Sequence, residues 1–196
     1  MSRALIVIDV QNDFCEGGSV PVTGGADVAG AIADFVDRQT GYDFVVATRD
    51  YHIDPGDHFS ERPDFVHSWP RHCVAGSEGS EFHPNFAPVV ASGAVDEVFH
   101  KGHYAAAYSG FHGVNEPGSP LADWLREHDV RQVDLVGIAT DHCVRATALD
   151  AVREGFEVQV LLDLTAAVAA KTTDAAVQEL RKAGVKLTGS PVLAND

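Results

Sequence analysis

Along the chain, short runs of β-branched and other apolar residues alternate with stretches whose apolar positions recur every three or four residues. The runs Leu5–Val10, Phe44–Thr48, Val95–His100, Val133–Ile138, Glu157–Leu162 and Val185–Thr188 predict strands. Most are continuously hydrophobic, the pattern of strands buried on both faces of a parallel sheet. Between them, Asp27–Gln39 sets Val28, Ile32, Phe35 and Val36 on one helical stripe. Leu121–His128, Val144–Arg153 and Thr173–Ala183 also read as helices, the last stopped by Gly184. Strand and helix in alternation predict an α/β architecture. The length of 196 residues fits a single domain over residues 1–196.

One connection breaks the alternation. From Asp50 to about Ala94 the chain is rich in His, Pro, Gly, Asp and Ser, with no long element in view. Such a loop inside a compact domain is either functional or disordered, and its Phe, Trp and His residues argue for order. A second irregular stretch, Gly102–Ser119, follows the third strand. In open α/β sheets ligands bind beyond the carboxyl ends of the strands, where both stretches begin.

Charge and cysteine content narrow the partners. With 14 basic residues against 29 acidic ones, a net charge of −15, the chain has no basic footprint for nucleic acid or an anionic membrane. Its three cysteines, Cys15, Cys73 and Cys143, are odd in number and far apart, which argues against a disulfide framework or a paired-cysteine zinc site. A reducing compartment fits them better. No apolar stretch approaches the ~20 residues of a membrane span, and the N-terminus lacks a signal-peptide pattern. The expected location is the cytoplasm and the expected partner a small molecule; the pattern leaves the choice between monomer and homo-oligomer open.

The polar residues at the strand ends are those that catalysis uses. Asp9 closes the first strand, Asp50 follows the second, Lys101 closes the third, and Thr140-Asp141-His142-Cys143 follows the fourth. Ends of neighbouring parallel strands converge in space. Cys143 is expected two or three residues into a helix capped by Thr140 or Asp141, where exposed N–H groups and a nearby Lys101 would favour the thiolate. Asp9 could take the thiol proton. Position alone leaves other readings open: Cys143 as a small buried hydrophobe, Asp9 as a turn cap, Lys101 as a solvated lysine. Their occurrence together at three strand ends favours the catalytic reading. Cys15 and Cys73 lie at no helix start and read as structural.

The long loop adds Asp50, His52, His58 and His72. One carboxylate and three imidazoles suit a divalent zinc, iron, manganese or nickel ion. The turn Asp54-Pro55-Gly56-Asp57 would fold His58 back toward His52. The spacing matches no zinc-finger pattern, so solvated loop histidines are the alternative. His67, His83, His103 and His112 show no comparable grouping.

Asp9-Val10-Gln11-Asn12-Asp13-Phe14, Asp50-x-His52 with His58 and His72, Lys101-Gly102, and Gly137-Ile138-Ala139-Thr140-Asp141-His142-Cys143-Val144 together resemble the nicotinamidase/pyrazinamidase group of isochorismatase-like hydrolases. The likeness runs from Ala4 to about Ala183. It implies a three-layer α/β/α fold of Rossmann-like topology, with a mainly parallel six-stranded sheet and a metal-binding loop at about 50–94. It implies hydrolysis of nicotinamide, and of pyrazinamide, in NAD salvage. By this analogy Asp9 is the base, Cys143 the nucleophile, and Lys101 the charge that orders both. Asp50, His52, His58 and His72 would hold one divalent metal that receives the ring nitrogen. Phe14 and Trp69 would sandwich the ring, Tyr108, Ile138 and His142 would line the pocket, and the N–H groups of Ala139 and Cys143 would form the oxyanion hole beside a cis Ile138–Ala139 bond. The nearest rival is a related cysteine amidohydrolase acting on a carbamoyl or ureido compound. A redox or metal-binding module, and a metallohydrolase with an incidental Cys143, are rivals of other classes.

Overall fold

The computed structural model describes residues 2–38 and 41–194. Its strands are β1 (Ser2–Ile8), β2 (Phe44–Asp50), β3 (Glu97–Lys101), β4 (Val130–Ile138), β5 (Glu157–Ala166) and β6 (Lys186–Thr188). The helices are α1 (Gly25–Asp37), α2 (Ala87–Ala91), α3 (Leu121–Glu127), α4 (Arg145–Arg153) and α5 (Ala170–Lys182). The strands form one sheet in the order β3-β2-β1-β4-β5-β6, and every pairing is parallel.

The continuous apolar runs make this sheet because both of its faces are covered. On β1, Ala4, Ile6 and Ile8 point into a core built with α3, α4 and α5 through Leu121, Trp124, Leu125, Ala148, Ala151 and Leu180. Leu5 and Val7 point the other way, against Val28, Ala29, Ile32 and Val36 of α1 and Val89 of α2. The period-two alternation of a strand thus divides one apolar run between two cores.

The chain builds β1, β2 and β3 outward in one direction, then returns to lay β4 on the other side of β1. The topological switch falls between β1 and β4, the place where such sheets open a crevice at their carboxyl ends. There the two strands run very close: a Cβ on Gly137, whose φ is +123°, would lie 2.1 Å from the Ile8 carbonyl oxygen.

Several boundaries differ from expectation. β1 stops at Ile8 because Asp9 turns the backbone, with φ +50°, so Val10 lies past the strand. β5 runs on to Ala166, four residues beyond the expected Leu162. The helix expected from Asp27 starts at Gly25, and Gln39, its expected end, is outside the described residues. The 50–94 stretch holds α2, a five-residue helix with Pro88 in its first turn, too short to show a period.

Candidate active site

Asp9, Lys101 and Cys143 meet at the switch point, below the mouth of a cavity. The backbone N–H of Asp9 is tied to the Thr48 carbonyl at 3.1 Å, and the Thr48 hydroxyl donates to Asp9 Oδ1 at 2.8 Å. Asp9 Oδ2 stands 2.8 Å from Lys101 Nζ but off the line of a good hydrogen bond, so this oxygen has no hydrogen-bond partner of its own. Lys101 is 1% exposed, so it is no solvated surface lysine. Its ammonium also donates to Asp50 Oδ1 and to the Ala107 carbonyl at 2.7 Å, and lies 3.9 Å from Cys143 Sγ. One buried cation thus serves two buried carboxylates and a thiol.

The electrostatics follow from this crowding. Burial alone would discharge Lys101, but the Asp50 and Asp9 carboxylates hold its pKa well above the usual value. Burial would also protonate Asp50, yet Lys101, His52 and His72 keep it well below the carboxylate range. For Asp9, burial outweighs the Lys101 charge, and Asp50 adds to the rise, so its pKa is raised. For the Cys143 thiol the direction is opposite to the lowering expected from a helix start and a nearby Lys101. Burial, seconded by Asp9 and Asp50, pushes it well above its ordinary value despite Lys101. The thiol therefore keeps its proton at rest, facing a carboxylate of raised basicity.

The helix start is also different from expectation. Thr140–Val144 form a wide, π-type turn whose N-cap is Ala139, in extended conformation, after a cis Ile138–Ala139 bond. The expected caps point elsewhere. Thr140 donates to Thr165 at 2.8 Å, while Asp141 accepts from the backbone of Val168 and Ala169 and from Thr172, capping the start of α5 instead. Cys143 is the fourth residue of the turn, and its thiol faces the cavity.

Beside this group the loop histidines converge. One ring nitrogen from each of His52, His58 and His72 falls within 4.8 Å of the other two, and all three rings are buried. Each Nδ1 meets a main-chain carbonyl: Gly102 at 2.6 Å for His52, His67 at 3.3 Å for His58, Pro70 at 2.7 Å for His72. That fixes the tautomer, with the proton on Nδ1 and the Nε2 lone pair turned inward, as metal-binding imidazoles require. His52 Nε2 is buried with no partner, a cost that an ion would remove. Asp50 Oδ2 stands 3.4 Å from His52 Nε2 and 3.7 Å from His72 Nε2. Burial and the other two histidines press the His58 pKa down to about 4, so it stays a neutral donor at physiological pH. The donor set fits a divalent ion. His52, His58 and His72 are therefore not solvated loop histidines, whereas His67 of the same loop is exposed; the Gly56–His58 turn brings His58 back toward His52.

Between thiol and histidines lies a small cavity of about 50 Å³. Phe14, Trp69, Tyr108, Ile138, Ala139, His142 and Cys143 line it, with Asp50, His58 and His72 at one side. Phe14 stands with its ring centroid 5.6 Å from that of His72. Trp69 Nε1 donates to the Tyr108 hydroxyl at 3.0 Å, and its ring meets His142 edge-on at 5.3 Å. Of the residues proposed from the sequence for the site, ten line this cavity, Asp9 and Lys101 lie against Cys143, and His52 lies beside His58 and His72.

Two residues that shape the site were given no role from the sequence. Gln11 is fully buried, and its amide grips Asp50 from both sides, accepting from its N–H and donating to its carbonyl, each at 2.8 Å. Thr48 orients Asp9; a lone hydroxyl in the apolar run of β2 was its one trace. Cys15 and Cys73 are free and buried away from the cavity, and burial lifts the Cys15 thiol to about 12. Among the described residues no helix is long and apolar enough to cross a membrane.

Comparison with known proteins agrees with this geometry. The isochorismatase domain model matches residues 3–191. A Mycobacterium tuberculosis nicotinamidase/pyrazinamidase is 58% identical over 188 residues, covering 96% of this chain and 99% of its own. Among solved structures, Pyrococcus horikoshii pyrazinamidase in complex with zinc superposes with TM-score 0.78 at 35% identity, over 96% of this chain and 99% of its own. PnC1 from L. infantum in complex with nicotinate gives TM-score 0.82 at 35% identity, over 100% and 96%. With sheet order, strand-end residues and near full-length likeness in agreement, this chain belongs to the isochorismatase-domain family.

Proposed function

We propose that the protein is a nicotinamidase, a cysteine amidohydrolase that converts nicotinamide to nicotinate and ammonia, accepts pyrazinamide, and serves NAD salvage. The observation that carries this reading is one small cavity with a Lys101–Asp9–Cys143 group at one end and three inward-facing imidazoles at the other. A carbamoyl- or ureido-cleaving relative would need the first end but not the second. The likeness to nicotinamidases across the whole chain supports the same substrate.

In this reading Asp9 Oδ2, the oxygen without a hydrogen bond, receives the Cys143 proton as the thiolate attacks the carboxamide carbon. Backbone N–H groups of Ala139 and Cys143 hold the developing oxyanion, a contribution of roughly 2.7–4 kcal/mol per donor in a well-studied protease. Asp9 returns the proton to the leaving nitrogen, ammonia departs, and a thioester remains on Cys143. Water, deprotonated by Asp9, then attacks the thioester and frees the carboxylate. Lys101 stays charged throughout and offsets negative charge as it passes between Asp9 and the thiol. Phe14 and Trp69 hold the ring by its faces. His52, His58, His72 and Asp50 would hold a divalent ion, with zinc, iron and manganese all compatible. When bound, that ion supplies a Lewis-acidic anchor for the ring nitrogen.

Ammonia release from nicotinamide, pyrazinamide and a ureido acid tests the reading, in wild type and in Cys143→Ala and Asp9→Asn. Turnover of the two ring amides, lost in both variants with fold and metal retained, is expected. Preference for the ureido acid, or a tenth of wild-type turnover in either folded variant, would sink it.

A further inference from the structure

Between His58 and Trp69 the chain makes a tight excursion to the surface. At its centre Asp64 is exposed, yet its Oδ1 accepts from three successive backbone N–H groups: Val66 at 2.9 Å, His67 at 2.8 Å and Ser68 at 2.8 Å. The Ser68 hydroxyl adds a fourth contact at 3.1 Å and accepts in return from the Asp64 N–H at 3.0 Å. The Phe65 N–H closes onto the Ser68 carbonyl at 3.0 Å. These donors hold the Asp64 carboxyl well below the usual carboxylate range.

Burial does not hold this loop in shape. Phe65 and Val66, its large apolar residues, are 57% and 59% exposed. Its order therefore rests mainly on hydrogen bonds, four of which converge on one oxygen atom, with Phe65 also edge-on to Trp69 at 5.7 Å. The contacts that leave the loop go to the candidate site. The Val66 carbonyl accepts from the Tyr108 hydroxyl at 3.1 Å, which in turn accepts from Trp69 Nε1. The His67 carbonyl faces His58 Nδ1 at 3.3 Å. Trp69, the residue after Ser68, donates its N–H to the His58 carbonyl at 2.8 Å.

We propose that Asp64 is a positioning residue for the site: by closing the 64–68 loop it aims the two carbonyls that orient Tyr108 and His58 and sets the place of the Trp69 ring. The proposal rests on the nicotinamidase reading for its kinetic consequence but not for its structural one. Asp64 touches neither the cavity nor the histidine cluster, and the Lys101–Asp9–Cys143 group has no hydrogen bond to the loop. Its loss should therefore weaken ring and metal binding while leaving the thiol as it is.

The test compares Asp64→Ala, Asp64→Asn and Asp64→Glu in the full chain, each checked for fold by circular dichroism. An Asn oxygen can accept the same three N–H groups, Ala has none, and Glu carries its oxygen one carbon too far. Three quantities are read: zinc affinity by competition with a chromophoric chelator, KM and kcat for nicotinamide, and the rate of Cys143 alkylation by iodoacetamide. Asp64→Ala and Asp64→Glu should lose about tenfold or more in zinc affinity, the range of lost outer contacts to ligating histidines. KM should rise by a similar factor, about tenfold, with kcat changed less, the mark of lost ground-state binding. Alkylation should stay near the wild-type rate, and Asp64→Asn should stay near wild type in all three. Wild-type zinc affinity in Asp64→Ala would overturn the proposal. So would an Asn variant as impaired as the Ala variant, or an alkylation rate that falls in step with zinc affinity. If wild-type protein leaves nicotinamide untouched, the functional reading fails on its own, and zinc affinity with alkylation still decides the role of Asp64.

Discussion

The substitution Lys101→Met removes the buried cation while keeping much of the side chain's length. The Lys101 Nζ is 3.9 Å from Cys143 Sγ. At that distance, with an effective dielectric constant of about 20, the charge favours the thiolate by about 4 kcal/mol, or about three pK units. The cation lowers the thiol pKa, so its loss raises it. The substitution would also leave Asp9 and Asp50 without their counter-charge; one of them would take up a proton and return part of the effect. The expected net loss in thiol reactivity at neutral pH is about 100-fold, a figure discounted from the full pairwise interaction. The assay is the iodoacetamide alkylation rate at Cys143, located by peptide mapping, followed from about pH 6 to about pH 10, a range that brackets the ordinary thiol pKa, beside ammonia release from nicotinamide. The alkylation curve should move to higher pH. A folded Lys101→Met protein whose Cys143 reacts within tenfold of wild type at neutral pH would refute the role given to the ammonium.

Three other outcomes are expected. Gln11→Ala strips both main-chain groups of Asp50 of their buried partners, which should cost about 3 kcal/mol and lower the melting temperature by about 10 °C for a chain of this size; an unchanged melting curve would show that water replaces the amide. Burial, followed by Arg49 and His103, depresses the His100 pKa to about 4. The unfolded chain then binds that proton first, so stability present above the ordinary histidine pKa of about 6.5 is lost as pH falls toward 4. His100→Gln should flatten this acid limb of a melting-temperature series, and an identical slope would remove His100 from the account. Chelation should abolish nicotinamide hydrolysis yet spare Cys143 alkylation, and benzamide, which lacks the ring nitrogen, should be a poor substrate either way; alkylation that collapses with turnover would show that the metal helps to activate the thiol.

The sheet was legible because β1, β2 and β4 are apolar on both faces, and such runs have few other solutions. Asp9, Lys101 and Cys143 were legible for a related reason: an ionisable or nucleophilic residue at the carboxyl end of such a run stands where the crevice opens. What escaped depends on partners distant in sequence. Asp141 reads as the cap of its own helix, but the start of α5, 27 residues on at Val168, claims its carboxylate. The protonation of Cys143 is decided by burial and by two carboxylates from other strands. Gln11 and Asp64 look like ordinary polar residues until the chain they grip is folded around them.

The three imidazoles of the proposed metal site are oriented by main-chain carbonyls, at Gly102, His67 and Pro70. No substitution deletes a carbonyl, so the chemical identity of the neighbouring side chains matters little to the tautomers. The fragility moves to whatever steers the backbone. At Gly102, where φ is +78°, a Cβ would sit 2.5 Å from the His52 ring, so even alanine there displaces that imidazole. A saturation screen scored on metal retention should therefore find sensitive positions at turns that carry no polar side chain toward the cluster, Gly102 among them. Variation that harms this centre would then fall on residues that lend it only their backbone.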